Sequence, residues 1–217
     1  MKDQNSPTLN YETRLYQNGT WPAAGIDEAG RGAWAGPVVA ASVVLPPPSD
    51  ELRLKLEGVR DSKLMTPAHR DRWFDTIMET AVDVGVGNVP ARQIDEIGIV
   101  PATHQAMLES LQQLHTEPAH LLIDHLQLPT PIPQTPITRG DRFVLSIAAA
   151  SIIAKVTRDR LMLELDAEFP GYSFASSKGY GTKDHRSGLQ KLGACAQHRH
   201  SYQPVAQLKL PGIQDQI

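Results

Sequence analysis

The chain has 217 residues, of which 41% are hydrophobic and 21% charged, a balance typical of one ordinary globular core. No apolar run reaches the roughly 18 residues of a membrane span, the first residues lack a secretory apolar core, and the single cysteine, Cys195, excludes an internal disulfide, so we expect a cytoplasmic protein. The net charge of -3 argues against indiscriminate nucleic-acid binding, but residues 139–199 hold ten Lys or Arg against six acidic residues, which fits either a polyanion-binding surface or a solvated helix surface.

The first predicted elements are short. Residues 1–20 are polar, and we expect a loosely held lead-in there. The apolar runs at 23–27 and 37–45 predict two buried strands, the second ended by three prolines. A Thr-Pro pair opens residues 66–80, and because Thr caps helices well and Pro suits the first helical position, we expect a helix over that range.

The rest of the chain alternates between helical and strand periods. The predicted elements are a strand at 81–89, a helix at 102–114, a strand at 120–124, a proline-rich loop at 129–136 and helices at 146–168 and 183–192. Small residues form one face of the helix at 146–168 and favour close packing on a sheet. Strands and helices in this order predict a mixed α/β layer fold.

Four acids stand at the ends of predicted elements. Asp27 and Glu28 end the first strand, Asp124 ends a later one, and Asp141 precedes the long helix. Ligands of open α/β sheets gather at strand ends, where four carboxylates would repel one another without bound cations. Two Mg²⁺ or Mn²⁺ ions would resolve that repulsion and serve phosphoryl chemistry. Each acid alone also suits a turn or a helix cap, so chemistry alone leaves both roles open.

A glycine-flanked arginine follows the first two acids. Gly30 and Gly32 let backbone N–H groups approach an anion closely, and Arg31 adds a fixed positive fork. The combination favours a hard metal ion held beside a phosphate. Zinc is not favoured, because among the histidines only His125 lies near these acids and Cys195 stands alone.

The segment GIDEAGRGAWAGPVVAASVVL, residues 25–45, closely resembles the opening motif of ribonuclease HII, a family of the ribonuclease H-like superfamily. Further pieces resemble the family in the same order: DSK at 61–63, LLID at 121–124, RGD at 139–141, SIAAASIIAKVTRDR at 146–160 and KGYGT at 178–182. The resemblance implies a ribonuclease H-like catalytic domain over 21–205, with a central mixed β-sheet flanked by helices and a small helical C-terminal region. Residues 206–217 would then be a tail.

The resemblance also implies the roles of individual residues. The catalytic acids that bind the metal, Mn²⁺ or Mg²⁺, would be Asp27, Glu28, Asp124 and Asp141. Residues that bind the substrate would be Gly30, Arg31, Gly32, Tyr180 and Lys63, with Tyr180 stacking on the deoxyribose beyond the ribonucleotide. Phosphate contacts at Lys155, Arg158 and Lys178 stay open against structural or solvated roles.

The implied reaction is metal-dependent hydrolysis on the 5′ side of a ribonucleotide. The partners would be RNA–DNA hybrids and duplex DNA containing single ribonucleotides, the ends 3′-hydroxyl and 5′-phosphate, and the enzyme a monomer. One alternative is an inactive nucleic-acid-binding module of the same fold, against which the complete acid set argues. Another is a related nuclease such as ribonuclease HIII, whose extra N-terminal domain the roughly 20 residues before Trp21 cannot provide.

Several positions depart from the family pattern. His125 replaces a glycine after the third acid, Ser177 replaces a histidine before KGYGT, Gly98 replaces an asparagine and Arg139 replaces a lysine. We interpret His125 as a sequence variant, although it could also crowd the loop or act near the metals. None of the departures removes an acid, so they bear on substrate binding rather than on the reaction.

Overall fold

The computed structural model describes residues 6–207, so most of the predicted tail at 206–217, namely residues 208–217, lies outside the described residues. The strands are β1 (Ala23–Ala29), β2 (Val38–Val44), β3 (Asp83–Val89), β4 (His120–Asp124) and β5 (Gln134–Ile137). The helices are α1 (Asn10–Gln17), α2 (Asp50–Lys55), α3 (Pro67–Thr80), α4 (Ala91–Ile97), α5 (Ile99–Gln112), α6 (Leu145–Glu168), α7 (Phe174–Ser177), α8 (Lys183–Leu192) and α9 (Gln203–Ala206). Within the described range, no helix combines the length and apolarity needed to cross a membrane.

The strands form one mixed sheet in the order β3-β2-β1-β4-β5, which confirms the predicted α/β fold with a central mixed sheet. β1 runs antiparallel to β2 and parallel to β4, and β4 runs parallel to β5. Ile26 of β1 lies opposite Ile123 of β4. The next residue on each strand, Asp27 and Asp124, therefore reaches the same end of the sheet side by side.

Helices cover both faces of this sheet. α6 packs on β1 and β2 on one face, while α5 packs on β2 and β3 on the other. A Cβ atom at Gly25 would collide with the backbone of Ser146 and Ile147, so β1 and α6 touch backbone to backbone. This confirms the predicted close packing of the long helix on a sheet and fixes the N-terminus of α6 beside the carboxyl end of β1.

Two predictions of irregular structure are wrong. Residues 10–17 form α1 rather than part of a loosely held lead-in, and Gln134–Ile137 form β5 where a loop was expected. β5 is an edge strand, and its Pro136 is exposed, so the missing N–H group costs no ladder hydrogen bond. Tertiary pairing with β4 overrides the proline-rich composition.

The helix α1 is held against the start of α6 by a buried carboxylate. Oε1 of Glu12 accepts a hydrogen bond of 2.9 Å from the backbone N–H of Ser146, so α1 caps α6 from outside that helix. Burial raises the pKa of Glu12 above its usual 4.5, although hydrogen bonds from Ser146 oppose the shift. The neutral form of the carboxyl is thus favoured in the folded protein.

We expect Glu12→Gln to gain stability relative to the parent protein as pH rises above 4.5. Since the folded pKa of Glu12 is raised, its stabilising contribution is present below the unfolded pKa and is lost as pH rises through the folded pKa. Gln keeps the oxygen that accepts from Ser146 and never ionises. Urea unfolding midpoints measured from pH 4 to pH 8 test this, with Glu12→Ala as the control that loses the cap and about 1 kcal/mol. Parallel curves for the Gln variant and the parent protein would contradict the pKa argument.

Candidate active site

Two of the predicted acids share one face of the sheet. Side chains alternate along a strand, so Gly25 and Asp27 of β1 face α6, as do Leu122 and Asp124 of β4. Asp27 is only 3% exposed, and one of its oxygens accepts from the backbone N–H of Glu28 at 2.7 Å. Because of the same alternation, the Glu28 side chain near the end of β1 lies on the opposite face of the sheet from Asp27.

The fourth acid is carried by the short 3₁₀ turn at Gly140–Arg142, directly before α6. The backbone N–H of Gly140 donates to Oδ1 of Asp124 at 2.7 Å, which ties this turn to the end of β4. A Cβ atom at Gly140 would stand 2.6 Å from Cδ1 of Ile147, so the turn lies close against the first turn of α6. Asp141 is buried beside Asp124 as a result.

The electrostatics of the acids show that they act on one another. The pKa of Asp27 is raised well above 3.8, first by burial and then by the negative charges of Glu28, Asp124 and Asp141. Burial also raises the pKa of Glu28, which Arg31 opposes and Asp124 reinforces. The pKa of Asp141 rises to about 6 through burial, through the charges of Asp61 and Asp124, and through a hydrogen bond with Asp61. The four predicted acids thus form one interacting cluster.

Asp61 is a fifth carboxylate of this region that sequence reasoning did not single out. It is 3% exposed, and its Oδ1 accepts from the backbone N–H of Lys63 at 2.9 Å. Burial lowers the pKa of Lys63, but Asp27, Asp61, Asp141 and Asp124 together outweigh it, so the pKa is raised. The DSK turn therefore places a lysine ammonium where it interacts with four of the acids. Its position in the recognised DSK element was the available signal for Asp61.

The donor set suits a hard divalent cation. The Oε2 atom of Glu28 is buried and has no hydrogen-bond partner, although a carboxylate oxygen normally requires one when buried. Within residues 6–207 no three His, Cys, Asp or Glu side chains are already gathered as a formed metal cluster. Carboxylate oxygens at this edge fit Mg²⁺ or Mn²⁺.

The loop that contains Gly30, Arg31 and Gly32, called the glycine loop below, meets the turn that carries Tyr180 beside the acids. The backbone N–H of Trp34 donates to the carbonyl of Gly179 at 2.8 Å, which joins the two segments directly. Tyr180 is 38% exposed. A Cβ atom at Gly32 would meet no neighbour, so packing does not require glycine there and its backbone is open to an approaching ligand. Arg31 lies 3.3 Å from Glu28. The structure thus brings Gly30, Arg31 and Gly32 near Tyr180.

Two fully buried arginines support this loop and turn: Arg158, for which the sequence left a structural role open, and Arg199, which sequence reasoning did not single out. Arg158 of α6 donates from Nε to the carbonyl of Pro37 at 2.9 Å, from Nη2 to that of Ala35 at 3.1 Å and from Nη1 to that of Lys178 at 2.9 Å. Its guanidinium lies 5.5 Å from the Tyr180 ring centroid. A side chain buried this way does not reach a phosphate, so the phosphate role left open for Arg158 is wrong.

Arg199 anchors the loop from the C-terminal region. Its Nε and Nη2 donate to the carbonyl of Gly36 at 3.1 and 2.9 Å, and its Nη1 donates to that of Arg31 at 2.8 Å. The Tyr202 hydroxyl donates to the same Arg31 carbonyl at 2.6 Å. These contacts therefore fix the loop through its backbone carbonyl groups and leave its backbone N–H groups to bind a ligand.

Backbone geometry explains two departures from the family pattern. His125 has φ +60°, and Gly98 has φ +85° between α4 and α5. Glycine is the usual residue for the first conformation, and the second, with ψ 160°, is essentially restricted to glycine. Ser177 is buried, and its Oγ accepts from the backbone N–H of Gly179 at 3.1 Å, which supports the turn that carries Tyr180.

We expect His125→Gly to stabilise the protein by up to about 1 kcal/mol, because a residue other than glycine is strained at φ +60°. His125→Val is the matched control and should destabilise, since a β-branched residue is disfavoured more strongly there. Urea midpoints measure both effects. His125 is exposed, so nuclease activity of the Gly variant should persist. Lost activity with raised stability would instead assign the imidazole a role near the acids.

Comparison with known proteins agrees with this geometry. The family model for ribonuclease HII matches residues 24–205. The fold is similar to the ribonuclease H2 of Pyrococcus horikoshii OT3, with TM-score 0.72, 24% identity and coverage of 87% of this chain and 97% of that chain. It is also similar to the RNase HII of the PCNA complex from Archaeoglobus fulgidus, with TM-score 0.64, 27% identity and coverage of 88% and 98%. Bst-RNase HIII in complex with Mn²⁺ aligns with TM-score 0.66 and 18% identity over 88% of this chain and 70% of that chain.

Proposed function

Because this chain belongs to the ribonuclease HII family, and is therefore a ribonuclease H endonuclease, we propose that it cuts on the 5′ side of ribonucleotides in RNA–DNA hybrids and in duplex DNA. The observation that carries the proposal is the cluster of Asp27, Glu28, Asp124 and Asp141 at one sheet edge, each raised in pKa or charge-coupled to the others. Such a cluster is costly without cations and has a purpose in phosphodiester hydrolysis.

In this proposal the acids hold divalent metal, Mg²⁺ or Mn²⁺, through carboxylate oxygens, including the buried Oε2 of Glu28. The bound metal supplies an activated water and charge stabilisation at phosphorus. Asp124 is oriented by the N–H of Gly140, and Lys63 adds a positive charge at the rim of the cluster. In-line hydrolysis at the phosphorus, with the 3′-oxygen as the leaving group, would then give 3′-hydroxyl and 5′-phosphate ends.

Recognition of the ribonucleotide falls to the loop and the turn. The backbone at Gly30, Arg31 and Gly32 can approach a 2′-hydroxyl, which both donates and accepts hydrogen bonds. The half-exposed Tyr180 ring then stacks on the following deoxyribose, whose lack of a 2′-hydroxyl leaves room for it. A junction between ribose and deoxyribose satisfies both contacts at once, which is the basis for selecting ribonucleotides within DNA.

The experiment compares a 5′-labelled DNA duplex containing one ribonucleotide, an RNA–DNA hybrid and an all-DNA duplex, each with Mg²⁺ and with Mn²⁺. We expect a single cut 5′ to the ribonucleotide, cleavage of the hybrid, and none of the all-DNA duplex. Polymerase extension tests the 3′-hydroxyl and ligation tests the 5′-phosphate. A cut on the 3′ side, or a 2′,3′-cyclic end, would contradict the proposal, and binding without cleavage would favour the inactive module.

This activity would begin the removal of ribonucleotides from DNA. We propose that the protein acts in the cytoplasm, because a free cysteine such as Cys195 is typical of a reducing compartment. We also propose a monomer, because one chain supplies every residue of the proposed site. Analytical ultracentrifugation at the protein concentration of the cleavage assay tests whether the protein is a monomer.

A further inference from the structure

A cavity of about 470 Å³ is lined by residues that flank the DSK turn in the chain and by α3. It is lined by Ser6, Gly58, Val59, Arg60, Met65, His69, Arg72, Trp73 and Thr76. Among these described residues there is no Asp or Glu, whereas two are arginines. The wall is therefore rich in hydrogen-bond donors and has an aromatic side, in a protein whose net charge is -3.

The helical wall of this cavity is a single face of α3. Residues 69, 72, 73 and 76 follow the spacing i, i+3, i+4, i+7, which brings side chains onto one stripe of a helix. Gly58 has φ +112°, and a Cβ atom there would stand 2.9 Å from Cζ2 of Trp73. The glycine turn therefore packs directly against the indole. Arg60 follows on the same turn and lines the cavity together with Arg72.

The two arginines keep their positive charge for a ligand. Arginines that pair with carboxylates in the described part of the chain are Arg31, Arg53, Arg70, Arg92, Arg142 and Arg160. Arg60 and Arg72 are exposed and do not belong to that group. Asp61, next to Arg60, accepts from the N–H of Lys63 and lies 3.7 Å from Arg142. Beside Arg72 on α3, Asp71 lies 3.6 Å from Arg160, and the exposed Asp75 forms no ion pair within the described residues. Guanidinium groups beside an indole suit a phosphodiester chain.

The cavity is rigidly connected to the proposed site. Nη1 of Arg70 donates to the carbonyls of Ser62 and Met65 at 3.1 and 2.6 Å, which fastens α3 to the DSK turn. The Ser62 and Ser151 hydroxyls, 2.8 Å apart, fasten that turn to α6. Arg60 stands three residues before Lys63, so their Cα atoms are at most about 11 Å apart. One strand of a duplex carries a phosphate every 3.4 Å or so along its axis, so that span corresponds to about three phosphates.

We propose that Arg60, Arg72 and Trp73 form a second subsite that binds the phosphodiester backbone of the nucleic-acid substrate beyond the phosphate at Lys63. The proposal rests on the proposed function, because it extends the path of the same strand. The arginines hold phosphates, and the indole packs on the sugar or on an unpaired base. The subsite contributes affinity without regard to sequence, since it meets only the backbone.

The experiment measures binding by fluorescence anisotropy, from 50 to 300 mM salt, of a labelled duplex of about 24 base pairs with one central ribonucleotide. Asp27→Asn is the background, so that the duplex stays intact. Removal of one arginine that binds a phosphate should lower the slope of log affinity against log salt by about 0.9. We expect Arg60→Gln and Arg72→Gln each to do so. The matched control is Arg92→Gln, which removes the same charge from an exposed side chain of α4 and should leave the slope unchanged.

Equal slopes and affinities for Arg60→Gln, Arg72→Gln and Arg92→Gln would overturn the subsite. Circular dichroism melts of the variants check whether a decrease in affinity is a folding defect. We expect parent-like melts because all three side chains are exposed. Failure of the unsubstituted protein to bind or cut the duplex would reject the proposed function, and the subsite with it. That result differs from the first because it is seen before any substitution is made.

Discussion

Asp27→Asn is expected to reduce cleavage of a ribonucleotide-containing duplex by at least about 100-fold, because even groups that only orient metal ligands cost 10- to 100-fold when removed. Asp27 is the most buried acid of the cluster, and its charge interacts with Glu28, Asp124 and Asp141. Asn keeps the oxygen that accepts from the N–H of Glu28 but provides no negative charge. Steady-state cleavage with Mg²⁺ and with Mn²⁺ measures the decrease.

The same substitution should make the protein more stable in metal-free buffer. The raised pKa of Asp27 shows that burial and neighbouring charges oppose its ionised form, so a neutral amide of the same shape relieves that cost. The matched control is Asp75→Asn on α3, an exposed acid for which neither cleavage nor stability should change appreciably. An Asn variant at position 27 that cuts at the parent rate, or that melts earlier, would remove Asp27 from the proposed catalytic cluster.

The sheet and the positions of the acids could be predicted from the sequence, because the patterns that indicate them extend over only a few neighbouring residues. Residues 23–27 and 120–124 are short apolar runs that each end in an acid, and parallel pairing brings such ends together. Small residues in α6 predicted the close contact that Gly25 makes with Ser146. In each case the tertiary contact follows from the hydrophobic pattern or from the side-chain size of a few neighbouring residues.

The supporting architecture could not be predicted, because its causes are distant along the chain. Arg158 and Arg199 are types that composition places on the surface, yet both are fully buried. Apart from the Lys178 carbonyl, the backbone carbonyls that they bind belong to residues 31–37, more than 100 residues away, and no sequence pattern indicates a contact to a backbone carbonyl. The helix α1 was not predicted either, because its contacts are with residues far along the chain: Tyr11 and Leu15 pack on the cluster of Val144 and Ile147, and Glu12 binds Ser146.

Arg158→Ala is expected to lower the free energy of unfolding by about 3 kcal/mol or more, since each buried carbonyl left without its donor costs about 1–3 kcal/mol. The carbonyls of Ala35, Pro37 and Lys178 would all lose a donor. A cavity would also open beneath Gly30, whose backbone packs on the Arg158 side chain. Urea unfolding with circular dichroism measures the change.

The control lies two residues further along α6. Arg160 is half exposed, lies 3.6 Å from Asp71 and covers the Phe74 ring at 4.4 Å, so Arg160→Ala should cost about 1 kcal/mol or less. Arg158→Lys restores the charge but not the fork, since one ammonium cannot serve three carbonyls in a plane. We therefore expect the Lys variant to recover part of the stability while KM for a ribonucleotide-containing duplex stays raised. Equal stability losses at 158 and 160, or a normal KM for the Lys variant, would show that Arg158 does not position the loop and Tyr180.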